Sequence, residues 1–167
     1  KAYAKSDIGK VRDNNQDYYY ISDSLDEIQL FMLADGMGGY NGGEIASKLA
    51  IETAKNYIIN NFKDISKDKD SIIQLVGSSM EYANMIVYEK SLENEEFNGM
   101  GTTLEICLIY NNRAYIGHIG DSRIYRIRKE FMRKLTQDHS YVQKLVQEGS
   151  ITTEEAEYHP KKNMLMK

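Results

Sequence analysis

Apolar and polar positions along this chain follow two different periods, and the switches between them mark the elements. Asp17 to Ser22 holds an aromatic, β-prone run, Tyr18-Tyr19-Tyr20-Ile21. A polar stretch, Gly9 to Gln16, separates it from Ala2 to Ile8. Ile28 to Ala34 is continuously apolar between Asp26-Glu27 and Asp35-Gly36, which predicts a strand buried on both faces. A glycine-rich turn, Gly36 to Gly43, then leads into a helical pattern over Glu44 to Phe62. Ile45, Leu49, Thr53, Tyr57 and Ile58 form its stripe, with Ala46, Ala50 and Ala54 beside them. After the charged loop Lys63 to Asp70, a second helix is predicted over Ser71 to Asn94. Its stripe is Ile72, Ile73, Val76, Met80, Ala83 and Val87, and Gly77 either weakens it or admits a close neighbour.

The period then returns to that of strands. Thr102 to Tyr110 and Arg113 to Ile119 read as a hairpin around Asn111-Asn112, because asparagine tolerates the positive φ of a two-residue turn. Ile124 to Arg128 and Phe131 to Leu135 read as another, around Lys129-Glu130. Ser140 to Glu148 is a short helix stopped at Gly149. Thr152-Thr153-Glu154-Glu155 resembles a capping box opening one more, closed by Pro160. No repeat or linker interrupts residues 1–167, which read as one domain. Strands, two long helices, strands and short helices in that order predict an α+β fold of antiparallel sheet packed against helices.

Composition narrows the class. The chain has 167 residues, 41% hydrophobic and 28% charged, with a single proline, so it carries enough apolar chain for a core and is neither collagen-like nor disordered. Basic residues number 21 and acidic residues 25, a net charge of −4, which argues against a nonspecific nucleic-acid binder but not against a local phosphate pocket. Cys107 is alone, so no internal disulfide or cysteine-based zinc site is expected, and it reads as a small buried apolar residue. No apolar run reaches membrane-spanning length, and Lys1 to Lys10 lacks the apolar stretch of a signal peptide. The expected localisation is cytoplasmic.

Four polar clusters carry candidate chemistry. In Asp35-Gly36-Met37-Gly38-Gly39 an acid ends a buried strand and is followed by pliable backbone. That suits a hard cation, which takes carboxylate and carbonyl oxygens; the alternative is a helix-entry turn with a solvated Asp. Nucleotide-cradling motifs fail here. Asn41 stands where G-x-G-x-x-G needs glycine, and Gly9-Lys10 is followed by Val11. In Arg12-Asp13-Asn14-Asn15-Gln16-Asp17, Arg12 could fork onto a phosphate and Asp17 hold water on a metal, or the two could be a surface pair. Gly120-Asp121-Ser122-Arg123 sets Asp121 in a break between strands, as a metal ligand or a turn cap. Leu135-Thr136-Gln137-Asp138-His139 ends in acid and imidazole: His139 invites a general-acid role, and the alternative, favoured here, is a helix-capping Asp138 with a structural His139; His118 and His159 read as structural. A serine-nucleophile scheme lacks its G-x-S-x-G elbow, and a thiol phosphatase would need a reactive Cys107.

Taken in order, RDNNQD at 12–17, LADGMGGYNGGEIAS at 33–47, MGTT at 100–103, HIGDSRIY at 118–125 and LTQDHS at 135–140 resemble the bacterial form of the PP2C-type metal-dependent serine/threonine protein phosphatases. The tail at 145–163 looks like that family's mobile flap, about residues 136–163. The resemblance implies a PP2C-like β-sandwich of antiparallel sheets flanked by helices, in four αββα layers. It implies two Mn2+ or Mg2+ ions, with a third, weaker one near the flap, and in-line attack of metal-activated water on phosphoserine or phosphothreonine without a phosphoenzyme. On this resemblance Asp35 bridges the ions, the Gly36 carbonyl ligates one, and Asp17 orients metal-held water from a second layer. Arg12 binds the substrate phosphate, and Asp121 helps hold the third ion. The implied partners are phosphorylated proteins, including a cognate serine/threonine kinase.

Two departures accompany the likeness. Some members carry histidine two residues after the bridging acid, where this chain has Met37. The family's further C-terminal segment carries two more metal-ligating aspartates, one in an SDG-like motif, and the chain reaches Lys167 without either. The expectation is therefore a chain lacking its C-terminal strands, weakly active or inactive, that covers its open sheet by self-association or strand exchange. The rival readings are a noncatalytic phosphatase-like binding module, and a phosphatase devoted to one small regulatory protein.

Overall fold

The computed structural model describes residues 1–22, 27–39, 42–162 and 164–166. Asp26, Tyr40, Asn41 and Asn163, which figured in the sequence reading, lie outside the described residues. The chain forms two compact units, Lys1–His118 and Ile119–Lys167.

The first unit is built on a five-stranded antiparallel sheet. β1 (Asp17–Ile21) pairs with β2 (Gln29–Met37), which pairs on its other side with β3 (Gly101–Thr102) and β4 (Leu104–Tyr110). β5 (Arg113–Ile119) follows β4 through a turn in which Asn111 and Asn112 take φ of 47° and 60°, the left-handed pair a two-residue hairpin requires. Two antiparallel-sheet predictions are thus met, with one refinement: the run Thr102 to Tyr110 is divided at Thr103.

Two helices, α1 (Gly42–Phe62) and α2 (Lys69–Leu92), complete the unit. α1 starts two residues before its predicted bound and ends at Phe62 as predicted, and α2 starts and ends two residues earlier than predicted. Asp68 caps α2 by accepting from the Asp70 and Ser71 amides, and hydrogen bonds led by those from Ser66 and Ser71 hold its carboxyl well below the usual range. The core lies between these helices and the sheet. It holds Leu30, Met32, Ile51, Ile58, Ile72, Val76, Ile106 and Leu108, all buried.

Four burial expectations are corrected. β2 is not buried on both faces: Leu30, Met32 and Ala34 are buried while Leu33 is 47% exposed, because the core lies on one side only. In α1 the inward stripe is Ala46, Ala50, Ile51, Ala54 and Ile58, and Ile45 and Leu49 are only partly covered. Small side chains let α1 approach the sheet. In α2, Ile73 is exposed and Leu75 and Ser79 take its place inside. Met80 and Val76 press so close to β5 that a Cβ at Gly117 would fall 2.5 Å from the Met80 sulfur. Gly77 has open space around it, so close packing is not its reason. Cys107 is half-buried rather than core, on the sheet face away from the helices, and burial raises its thiol pKa.

The second unit holds a two-stranded hairpin, β6 (Tyr125–Arg128) and β7 (Phe131–Lys134), with Lys129 at φ 53° in the turn. Two short helices follow, α3 (Tyr141–Gln147) and α4 (Thr153–Tyr158). Gly149 stops α3 at φ 72°, and both arms of the Thr152/Glu155 capping box are made. Asp138 is not the helix cap. Ser140 caps α3, and Asp138 instead accepts a forked pair of bonds from Arg123 and another from Lys134.

Candidate metal centre

The last residues of β2 emerge where the sheet, the first turn of α1 and the loop before β1 converge. Gly36 donates its amide to the Gln16 carbonyl at 3.1 Å, and the same carbonyl accepts the Ser47 hydroxyl at 2.7 Å. A Cβ at Gly36 would fall 2.0 Å from the Gly43 carbonyl oxygen and 2.7 Å from that of Gln16, so three backbone segments meet where only glycine fits. The Gln16 amide also donates to the Gly38 carbonyl at 3.3 Å. The polar loop of residues 12–16 is in this way tied to the glycine turn.

Asp17 opens β1 directly opposite Asp35 of β2. Opposite residues of an antiparallel pair point to one face, so the two carboxylates share the sheet face away from the core, and both residues are exposed. Asn15 accepts the Asp17 amide at 3.0 Å and donates to Ser6, whose hydroxyl reaches the Asp17 carboxylate at 3.4 Å. Like charges set directly across a ladder destabilise it, so this pairing costs stability wherever nothing positive lies between.

The structure therefore brings together Asp17, Asp35 and Gly36. Arg12 is exposed on the loop leading to β1 and makes no ion pair among the described residues, so the Arg–Asp surface pair is not formed. Asp121 belongs to the second unit, exposed in the bend after β5 beside Gly120 at φ 114°. Met37 is 46% exposed at the end of β2. Each of the three histidine rings has a hydrogen-bond partner. His118 pairs with Glu105, the His139 ring accepts the Gly120 amide, and the His159 ring accepts the Lys161 amide.

Residues 103, 105 and 118 form a polar group the sequence reading did not assign. The Thr103 hydroxyl accepts the Asp35 amide at 3.0 Å and donates toward Glu105 at 3.4 Å, and Glu105 lies 2.8 Å from His118 Nδ1. Thr103 and Glu105 are buried. The signal was present as a glutamate inside the apolar run Leu104 to Tyr110.

Two carboxylates and a carbonyl are hard oxygen donors and fit a divalent cation such as Mn2+ or Mg2+ in kind. Among the described residues no group of three or more His, Cys, Asp or Glu side chains is placed to hold a metal.

The fold defines the class, an antiparallel α+β protein in which Asp17 and Asp35 face each other across one end of the sheet. The family model described as Protein phosphatase 2C matches residues 10–166, and the chain belongs to that family. It is 38% identical to the protein phosphatase PhpP of Streptococcus pneumoniae over 162 residues, covering 96% of this chain and 63% of the relative. The crystal structure of the Mycobacterium tuberculosis serine/threonine phosphatase PstP matches with a TM-score of 0.80 at 36% identity, over 98% of this chain and 65% of that one. The S. agalactiae serine/threonine phosphatase matches with a TM-score of 0.85 at 35% identity, over 96% of this chain and 65% of that one. The chain thus spans less than two thirds of the length of these relatives. A structure of the PstP catalytic domain in complex with two manganese ions matches with a TM-score of 0.75 at 36% identity, over 91% of this chain and 61% of that one.

Proposed function

We propose that this chain carries the first part of a phosphatase domain that hydrolyses phosphoserine and phosphothreonine in proteins, opposing a bacterial-type serine/threonine kinase. The observation that carries the reading is the cross-strand pair Asp17–Asp35. Two acids facing each other on one sheet face are costly by themselves and useful around a cation.

Asp35 is proposed as the ligand shared between divalent ions, with the Gly36 carbonyl beside it and Asp17 holding water oriented from across the ladder. Mn2+ or Mg2+, when bound, would supply activation of water and charge stabilisation at phosphorus. Arg12, exposed and without an ion pair among the described residues, is proposed to fork onto the substrate phosphate. Asp121 is proposed to hold a third ion. Residues 1–167 are proposed to belong to one phosphatase domain, with residues 136–163 as its flap. Among the described residues no helix is long and apolar enough to cross a membrane.

A second reading has its own observation. With no group of three ligand side chains among the described residues, the chain could recognise a phosphoprotein without hydrolysing it. Hydrolysis of an aryl phosphate by this chain, with Mn2+ and with chelator, separates the two. Mn2+-dependent turnover that Asp35→Asn abolishes supports the enzyme. Chelator-insensitive binding of a phosphopeptide with no turnover supports the module.

A further inference from the structure

The polar group beside Asp35 is buried at Thr103 and Glu105. Asp35 and Thr103 stand opposite each other in register with the flanking pairs Leu33–Glu105 and Gly36–Thr102. The Thr103 amide donates to the Asp35 carbonyl at 3.0 Å, as a ladder requires, but the Asp35 amide is taken at 3.0 Å by the Thr103 hydroxyl. The Thr102 hydroxyl lies 3.0 Å from the Asp35 carbonyl and 2.9 Å from the Thr103 carbonyl, and its single proton is shared between the two acceptors. Both polar groups of the Asp35 backbone are thus held by residues 102 and 103, with side chains in the ladder.

The Thr103 hydroxyl has one proton, and its direction decides which group it can accept from. Glu105 takes that proton at 3.4 Å, leaving the hydroxyl lone pairs for the Asp35 amide. His118 faces Glu105 at 2.8 Å, with side-chain exposures of 10% and 6%. A carboxylate buried to that degree is stable only with such partners, and the partners fix its orientation.

We propose that Thr103, Glu105 and His118 form a positioning relay for Asp35, setting the direction in which its carboxylate meets a divalent cation. None of the three is a ligand in this proposal. It rests on the reading of Asp35 as a metal ligand. Outer partners of metal ligands generally govern affinity by about 10–100-fold, although in this case the partner acts through the ligand's backbone.

The test is Mn2+ affinity of the 167-residue chain, read from the free-ion signal in electron paramagnetic resonance, beside metal-free thermal unfolding. Thr103→Val keeps the shape and removes the hydroxyl, and Thr103→Ser restores it. We expect Thr103→Val to weaken Mn2+ binding by about tenfold. Thr103→Ser should bind like the parent, and Glu105→Gln should weaken binding in the same direction. A merely structural role would lower the unfolding temperature of Thr103→Val and leave its affinity at the parent's, which overturns the relay. Thr103→Ser binding as weakly as Thr103→Val also overturns it. Should Thr103→Val not fold, parent-like affinity in Glu105→Gln overturns it instead. Asp35→Asn separates the two levels. If it binds Mn2+ as the parent does, or the parent binds none, the ligand reading falls and the relay with it. If it alone loses binding, the relay falls and the ligand reading stands.

Discussion

Asp138 shows what one side chain contributes and at what pH. Partial burial raises its carboxyl pKa, and hydrogen bonds and charge from Arg123 and Lys134 outweigh that and leave it below the ordinary value. The folded state binds this proton less readily than the unfolded chain. The bridge therefore stabilises the second unit above the ordinary aspartate range, and the contribution is lost as the pH falls through the depressed folded value. Thermal unfolding between pH 7 and pH 3 should show Asp138→Asn less stable than the parent at neutral pH, the gap closing in acid. Asp35 should behave in the opposite sense. In chelator, Asp35→Asn removes one of two facing like charges and should not lower stability. In millimolar Mn2+ the parent should gain stability that the variant does not. Calorimetry of both proteins in both buffers checks this. An Asp35→Asn variant less stable than the parent in chelator would show that the carboxylate is structural. At this scale the sequence reading placed Asp17, Asp35 and Gly36 in one site through the family motifs. It gave the capping role to Asp138 instead of Ser140, because a cap and an ion-pair acceptor look alike until Arg123 and Lys134 are seen to converge on it.

The elements follow from periodicity, and their exceptions follow from who packs against whom. α2 is a 24-residue helix capped by Asp68, interrupted in composition by Gly77 on its exposed side. A Cβ there meets no atom within 4 Å, so alanine would keep every contact and remove the backbone entropy cost of glycine. Gly77→Ala should stabilise the first unit by about 0.5–1 kcal/mol, seen as a higher urea midpoint at unchanged slope. Gly36→Ala should do the reverse, since its Cβ would overlap the Gly43 and Gln16 carbonyl oxygens. Hairpins, helix stops and the capping box were legible because each depends on a few adjacent residues. The alanine stripe of α1 was not. Ile45 and Leu49 are more hydrophobic than Ala46, Ala50 and Ala54, yet the smaller set lies inside, Ala54 in the core between helices and sheet and Ala46 and Ala50 against Val87 and Met100. The one-sided burial of β2 was hidden for a related reason: Phe31 and Leu33 are as apolar as Leu30 and Met32, and only the placement of the helices tells the two faces apart.

The whole molecule inherits that second face. Tyr19 of β1 stands opposite Leu33 of β2, and Ile21 opposite Phe31, which in turn faces Cys107 of β4. Tyr19 and Leu33 are exposed at 44% and 47%, while the helices cover only the other side. An apolar sheet face open to water favours association, and the strands β1 and β5 at the ends of the ladder offer further pairing sites. The chain's net charge of −4 is too small to prevent contact at ordinary ionic strength. We therefore expect the 167-residue chain to self-associate, with a sedimentation coefficient that rises with concentration across the micromolar range. Leu33→Lys, placed in the middle of that face, should shift the distribution to monomer without lowering the melting temperature, because Leu33 is outside the core. A parent that sediments as one monomeric species at every concentration would show that this face stays solvated. Association unchanged by Leu33→Lys would place the contact on another surface.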